Sequence, residues 1–222
     1  MINKQSQTLR KLTLTSGHMK ELATEYDQLN IRGSVAIHKD VSLLIISSHG
    51  HSTFHSHVKA NRLNASGSCL MKGHCEVKEI RSAGNLKMRS GQAQNIISSG
   101  KLTIEETLQA EHIEINGVIH AKKLHAKHLQ LKLAGESKIE KLYTDEVHIG
   151  KDRKTISFLK KKLICHSIKG KRLELSYTNA EIVEGDVIII GNDCVIQTLY
   201  YKEDYTISPN AKVQKIIRCE VK

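Results

Sequence analysis

Glycine recurs at a nearly constant interval through the first two thirds of this chain. The glycines of this series are Gly33, Gly50, Gly67, Gly84, Gly100, Gly117 and Gly135, and their successive intervals are 17, 17, 17, 16, 17 and 18 residues. A fixed period in this range is typical of repeat proteins, in which each repeat buries its apolar face by stacking on its neighbours. The series, called the glycine ladder below, constrains the fold more strongly than any other feature of the sequence.

Two apolar columns accompany the glycine ladder. Four residues before the glycines stand Leu29, Ile46, Leu63, Ile80, Ile96, Ile113 and Leu131, and four residues after them stand Ile37, Phe54, Met71, Met88, Ile104, Ala121 and Ile139. Between these positions apolar and polar residues alternate, as in Ile113-Glu114-Ile115-Asn116-Gly117. This alternation indicates β-strands and not helices.

A repeat of about 17 residues divides into three short strands and three tight corners, which is one coil of a parallel β-helix. Neighbouring coils would be hydrogen-bonded at a spacing of roughly 4.8 Å. We therefore predict an all-β chain that forms a parallel β-helix. The drifting period favours a right-handed helix over a left-handed helix of hexapeptides, which keeps a strict coil length, and a leucine-rich repeat would need a longer unit. We expect the glycines at corners that require a positive φ.

The pattern divides the chain into four segments. Residues 1–28 form a polar N-terminal arm, and residues 29–150 form the β-helix repeat domain. Residues 151–172 break the pattern and read as a basic insertion or loop. Residues 173–222 are a C-terminal β segment that continues the β-helix, with a separate small β unit as the alternative.

The basic excess is concentrated in one segment. The chain has a formal net charge of +11, and residues 151–172 contain nine basic residues and one acidic residue. The interaction candidates in this segment are Lys151, Arg153, Lys154, Phe158, Lys160, Lys161 and Lys162. Anionic lipid headgroups attract such a cluster by roughly 1 kcal/mol per basic residue, and nucleic acid attracts it through phosphates. The alternative is a solubilising loop without a partner.

A histidine-rich stretch surrounds Gly50. The repeat frame places His49, His51, His55 and His57 on the outer surface. A His-x-His pair on a strand can bind Zn²⁺, Ni²⁺ or Cu²⁺, but the stretch contains no Asp or Glu to support the ligands. The favoured interpretation is therefore a solvated face without metal, which would change its charge near about pH 6.

The sequence lacks the motifs of common enzymes. It contains no Gly-rich phosphate loop, Ser-His-Asp arrangement, Cys-x-x-Cys pair or His-Glu-x-x-His motif. Cys165 and His166 are adjacent, and neighbouring strand residues point to opposite faces, so they are poorly placed to act together. The frame places Cys69 and Cys75 in the core. We predict a chain without catalytic residues or cofactor.

The expected location is the cytoplasm. No stretch approaches the roughly 20 apolar residues of a membrane span, and the first residues lack the apolar run of a signal peptide. The five cysteines are odd in number and irregularly placed, which favours free thiols in a reducing compartment. The basic segment also allows association with the inner face of the membrane.

The chain resembles the bactofilins, which are polymer-forming cytoskeletal proteins of bacteria. The resemblance rests on the Gly-centred repeats over residues 29–150, on the sequence Tyr26–Gly33, and on the C-terminal sequence Ala180–Ile196 followed by Tyr200-Tyr201. It is greatest to Bacillus-type members with an additional C-terminal segment. The resemblance implies a right-handed β-helix that assembles end to end into filaments without nucleotide, with a scaffold role in cell shape, polarity or envelope-associated processes.

The physics of an open β-helix also favours assembly. Each end exposes unpaired backbone N–H and C=O groups that pair with another chain unless they are covered, and a contact that does not close on itself gives a fibre. We therefore expect a non-enzymatic scaffold whose main partner is itself. Membrane surfaces or envelope-associated proteins come second, and nucleic acid is the least favoured partner. The alternatives are an acyltransferase-like β-helix enzyme, a basic adaptor acting through residues 151–172, and a monomer or dimer with covered ends.

Overall fold

The computed structural model describes residues 9–20, 25–152 and 160–219, and every regular element in these ranges is a strand. The strands are β1 (Lys11–Met19), β2 (Gln28–Ile37), β3 (Val41–Ser48), β4 (His51–Phe54), β5 (Val58–Ala65), β6 (Ser68–Ser82), β7 (Asn85–Ser98), β8 (Lys101–Leu133), β9 (Glu136–Lys151), β10 (Lys162–Leu175), β11 (Thr178–Ile190), β12 (Val195–Ile207) and β13 (Lys212–Arg218).

These strands stack in chain order as one parallel sheet that winds around a narrow core. The order is β1-β2-β3-β5-β6-β7-β8-β9-β10-β11-β12-β13, and β4 pairs with β2 and β6. Each residue pairs with the residue about one repeat away, as Leu63 does with Ile46 and Ile80. The prediction of an all-β parallel β-helix with coils of about 17 residues is confirmed, and its handedness stays a prediction.

The two apolar columns form the core. The residues four before the ladder glycines are all at most 2% exposed, and those four after them are at most 7% exposed. Because the strands pair in register, each side chain rests on its equivalents in the coils before and after. The alternation in the sequence therefore becomes a continuous ladder of Leu, Ile, Val and Met along the axis.

The glycine ladder has a different cause from the one expected. Among the described glycines only Gly17 has a positive φ, of 117°, and the left-handed region is otherwise occupied by Tyr177 (φ 55°) and Asp193 (φ 56°). The expectation that the ladder glycines serve positive-φ corners is therefore wrong. A different constraint selects glycine at these positions.

That constraint is the close approach of the backbones of successive coils. The carbonyl oxygen of Gly50 accepts a hydrogen bond of 2.9 Å from the N–H of Ser68, and that of Gly84 accepts one of 2.9 Å from Lys101. A Cβ atom added to the glycine of the next coil would lie closer than 3.0 Å to such a carbonyl oxygen, and this holds for Gly50, Gly67, Gly84, Gly100 and Gly117. Gly33 meets the carbonyl of Thr15 in the same way. Only glycine leaves room for this approach.

Gly135 is the exception in the ladder. The carbonyl of Gly117 accepts its bond from the N–H of Ala134, so the corner is shaped differently there. The nearest atom to an added Cβ on Gly135 is the Cγ2 methyl of Val118, at 3.1 Å. The seventh glycine therefore matches the period without the backbone contact that defines the other six.

The predicted polar arm, residues 1–28, contains a further coil. Strand β1 (Lys11–Met19) pairs in parallel with β2, and Leu12 lies beside Leu29. The arm was given no strand because its glycine, Gly17, is out of step with the ladder. The pairing also shifts register between Leu14 and Ser16.

The predicted basic insertion, residues 151–172, is too long. Strand β9 extends to Lys151 and β10 begins at Lys162, which pairs with Glu136, 26 residues earlier. The segment between these strands therefore leaves the solenoid, and β10 resumes stacking directly on β9. Sequence reasoning missed β10 because its outward positions are mostly basic, whereas Leu163, Cys165 and Ile168 are buried.

Replacing one ladder glycine with alanine should destabilise the solenoid. In Gly84→Ala the new methyl group meets backbone that cannot move without shifting a coil, and such overpacking costs about 1–3 kcal/mol. For a chain of this size we expect the thermal midpoint to fall by roughly 2–9 °C, measured by circular dichroism.

Gly135→Ala is the matched control. Its new methyl group faces a side-chain methyl, and the lost flexibility of the unfolded chain offsets the contact. We expect its midpoint to stay close to that of the wild type. Equal losses in the two variants would contradict the backbone-contact explanation of the ladder.

Candidate functional site

The core columns of the solenoid reach its C-terminal end without a covering coil among the described residues. Leu199 of β12 is 0% exposed and pairs with Ile216 of β13, which is 40% exposed. Ile196 is likewise fully buried, and its partner Val213 is half-buried. The inward side chains of the last coil therefore retain accessible apolar surface that every inner coil covers.

The N-terminal end has the same construction. Leu12 and Leu14 of β1 pair with Leu29 and Ile31 of β2. The β2 residues are 0% exposed, whereas both leucines of β1 are half-buried. We call the exposed faces of β1 and β13 the N-terminal and C-terminal end faces.

The end faces also present strand edges. Within the described ranges β1 is paired through β2 and β13 through β12, so each has one edge without a strand beside it. A parallel edge offers alternating N–H and C=O groups to a further strand. Each end face therefore combines apolar surface with hydrogen-bonding groups, as the surface between two inner coils does.

The lateral surface is different, because its charges are paired between coils. Ion pairs along the axis join Arg62 to Glu79 (2.8 Å), Arg89 to Glu106 (2.8 Å) and Lys127 to Glu111 (2.8 Å). The hydrogen bonds from Arg62 and Arg81 lower the pKa of Glu79, and the bond from Lys127 lowers that of Glu111. Such exposed pairs add little stability individually, but they leave the sides charged and hydrated.

Part of the basic segment is bound to the solenoid. The ammonium of Lys151 lies 3.8 Å from the centre of the Tyr177 ring, and that of Lys162 lies 3.8 Å from a carboxylate oxygen of Glu136. The ammonium of Lys161 donates to the backbone carbonyl of Asp152 at 2.9 Å.

Lys160 is exposed. The other candidates, Arg153, Lys154 and Phe158, lie outside the described residues. Binding of lipid, envelope proteins or nucleic acid by this segment stays a prediction.

The four histidines around Gly50 lie on the surface but do not converge. His49 and His51 are exposed, and His55 and His57 are half-buried. Within the described ranges no group of three or more His, Cys, Asp or Glu side chains is placed to bind a metal ion.

These rings instead contact residues of neighbouring coils. His49 Nδ1 lies 2.9 Å from Ser66 Oγ, His55 stacks on His38 with ring centroids 4.3 Å apart, and His57 stacks on His74 at 5.9 Å. His38 also contacts His18 of β1. Sequence reasoning missed that contact because it placed His18 in an arm.

The cysteines have the character of core residues. Burial raises the pKa of Cys69 to about 11, that of Cys165 to about 12 and that of Cys194 to about 11, and it also raises the pKa of Cys75. His166 lies on the outer face, with Nδ1 2.9 Å from a carboxylate oxygen of Glu181. Cys165 and His166 are therefore separated by the strand itself.

Comparison with known proteins gives a short match. A stretch of 52 residues is 44% identical to uncharacterized protein YhbE of Bacillus subtilis (strain 168), covering 23% of this chain and 22% of that protein. No family model matches the chain, and no solved structure matches it. The chain thus aligns with about a fifth of the length of this relative. Within the described ranges there is no helix long and apolar enough to span a membrane.

Thiol titration should separate the cysteines by position. Cys219 is half-buried and the other four are buried, and thiolates are the reactive form. We expect one fast-reacting equivalent with a thiol reagent under native conditions at neutral pH and five after unfolding. Cys219→Ser should abolish the fast phase, and a second fast equivalent would contradict the buried positions.

Proposed function

We propose that this protein is a non-enzymatic scaffold of the bactofilin type, which assembles by stacking the end faces of its β-helices without nucleotide. The parallel β-solenoid is compatible with such a polymer. The observation that carries the proposal is the continuation of the inward columns to the terminal coils, where the buried Leu199 is followed by the 40% exposed Ile216.

The energetic argument follows from that change in exposure. Stacking a second solenoid on an end face would cover Val213 and Ile216, and full burial of a side chain of this size contributes about 1.5–3 kcal/mol. The paired edges would add backbone hydrogen bonds, each contributing about 0.5–1.5 kcal/mol net. Because the two faces of a solenoid lie at opposite ends of its axis, repeated stacking gives a fibre and not a closed oligomer.

The lateral surface supports this direction of growth. Its charges are satisfied between coils of one chain, as in the pairs Lys127–Glu111 and Arg62–Glu79. Lateral association would have to desolvate these pairs, which is costly. Growth along the axis leaves them in water.

Filament formation and its dependence on the C-terminal end face are the direct test. We expect electron microscopy of the purified protein without nucleotide to show filaments. Ile216→Lys should raise the critical concentration for assembly by about tenfold or more, because it places a charge in the contact and removes apolar burial. Sedimentation at increasing protein concentration gives that value.

Ile97→Lys is the matched control, because Ile97 is 42% exposed and lies within the paired strands β7 and β8, away from either end. We expect it to assemble like the wild type, and circular dichroism should show both variants folded. Small uniform trimers of the wild type would overturn the proposal in favour of an acyltransferase-like protein. Equal effects of the two substitutions would exclude the end face as the contact.

A further inference from the structure

Three imidazole rings form a column at the N-terminal end of the solenoid. His18 of β1 stacks on His38 with ring centroids 5.6 Å apart, and His38 stacks on His55 at 4.3 Å. The three residues lie on successive coils. We call this column the histidine stack.

The closest contact in the stack requires a neutral ring. His18 Nδ1 lies 3.3 Å from His38 Nε2. A hydrogen bond between two ring nitrogens needs one of them as an acceptor, and a protonated imidazole has no acceptor nitrogen. This contact therefore exists only while at least one of the two rings is uncharged.

The surroundings of the stack oppose its protonation. Burial and the positive charge of Lys72 on the next coil, together with His38 and His18, lower the pKa of His55. No carboxylate lies within ion-pair distance of the stack in the part of the chain that the structure describes.

Other titratable groups face the stack from the elements around it. These are Lys20 after β1, Lys39 and Asp40 after β2, His57 after β4, and Lys72 and His74 of β6. Asp40 uses its Oδ1 to accept the backbone N–H of His57 at 3.1 Å, and His57 faces Glu76 at 3.8 Å. The balance at the stack is therefore positive.

Histidines elsewhere on the solenoid are placed differently. The carboxylate partners and N–O distances are Glu146 for His128 (3.2 Å), Glu174 for His148 (3.0 Å) and Glu181 for His166 (2.9 Å). Protonation of these rings creates favourable ion pairs between coils. The stack at the N-terminal end instead gains only like charges.

The coil that the stack fastens is weakly held. No residue of β1 is fully buried, and its pairing with β2 shifts register between Leu14 and Ser16. Beyond the strand pairing, Arg10 and Asp27 form an exposed ion pair of 3.7 Å. Small changes in free energy can therefore decide whether β1 stays docked.

We propose that the histidine stack is a pH-sensitive latch, which holds β1 on the solenoid at neutral pH and releases it in mildly acidic solution. Protonation below the ordinary histidine pKa of about 6.5 places positive charges on neighbouring rings next to Lys72. A released β1 binds more protons than a docked one, so docking weakens as the pH falls and is complete above that range. Release would expose Leu29 and Ile31 of β2.

Hydrogen exchange on the full-length protein tests the latch. Labelling times at about pH 7.5 and about pH 5.5 are scaled to equal intrinsic exchange. We expect peptides from β1 and β2 to exchange about tenfold faster at the lower pH, and peptides from β9 and β10 to be unaffected. The double variant His38→Gln/His55→Gln should lose this response, and His55→Lys should show fast β1 exchange already at neutral pH.

His49→Gln/His51→Gln is the control pair, because both rings lie on the same part of the solenoid but outside the stack. This variant should keep the wild-type pH response. Equal β1 exchange at both pH values, or a response that persists in His38→Gln/His55→Gln, would overturn the latch. The exchange of β1 is read whether or not filaments form, so failure of the latch and failure of the scaffold proposal are distinguishable. An effect of pH on end-to-end stacking would follow from the latch only if the proposed function holds.

Discussion

The close stacking of backbone on backbone along the axis is the contact on which the rest of the structure depends. At the ladder positions the carbonyl of one glycine lies where a side chain of the next coil would otherwise begin, as between Gly67 and Gly84. This approach keeps the coils in register, and the register places Leu63 on Ile46 and under Ile80. The core, the ion pairs between coils and the ring stacks all repeat at the same interval because they inherit that register.

The same constraint makes the ends of the molecule special. An inner coil is covered on both sides, so its inward residues are buried and its backbone groups are paired. The last coil has the same inward residues and lacks one neighbour, which leaves Ile216 exposed where Leu199 is buried. A fold that repeats without an internal stop thus creates the surface on which the proposed assembly rests. The proposed latch at β1 would act on one of these ends.

Several features were predictable from the sequence because they repeat. Alternation and period sufficed to place both apolar columns in the core, and Cys69 and Cys75 with them, since one register serves every coil. Strands β1 and β10 escaped prediction for the same reason. Gly17 is out of step with the ladder, and Lys162, Lys169 and Lys171 make the outward face of β10 resemble a basic loop. A pattern found by periodicity is lost where single positions depart from the period.

The sequence by itself determined that this chain is a parallel β-helix, since alternation and a constant period leave few other ways to bury its apolar residues. Only the tertiary structure decided why the ladder is glycine, because the reason is a carbonyl of the preceding coil and not the conformation of the glycine itself. It also decided which histidines meet. His18 and His38 are 20 residues apart, and their contact depends on how the register of β1 shifts against β2. Such contacts between coils are set by stacking geometry, which the order of residues along one strand does not contain.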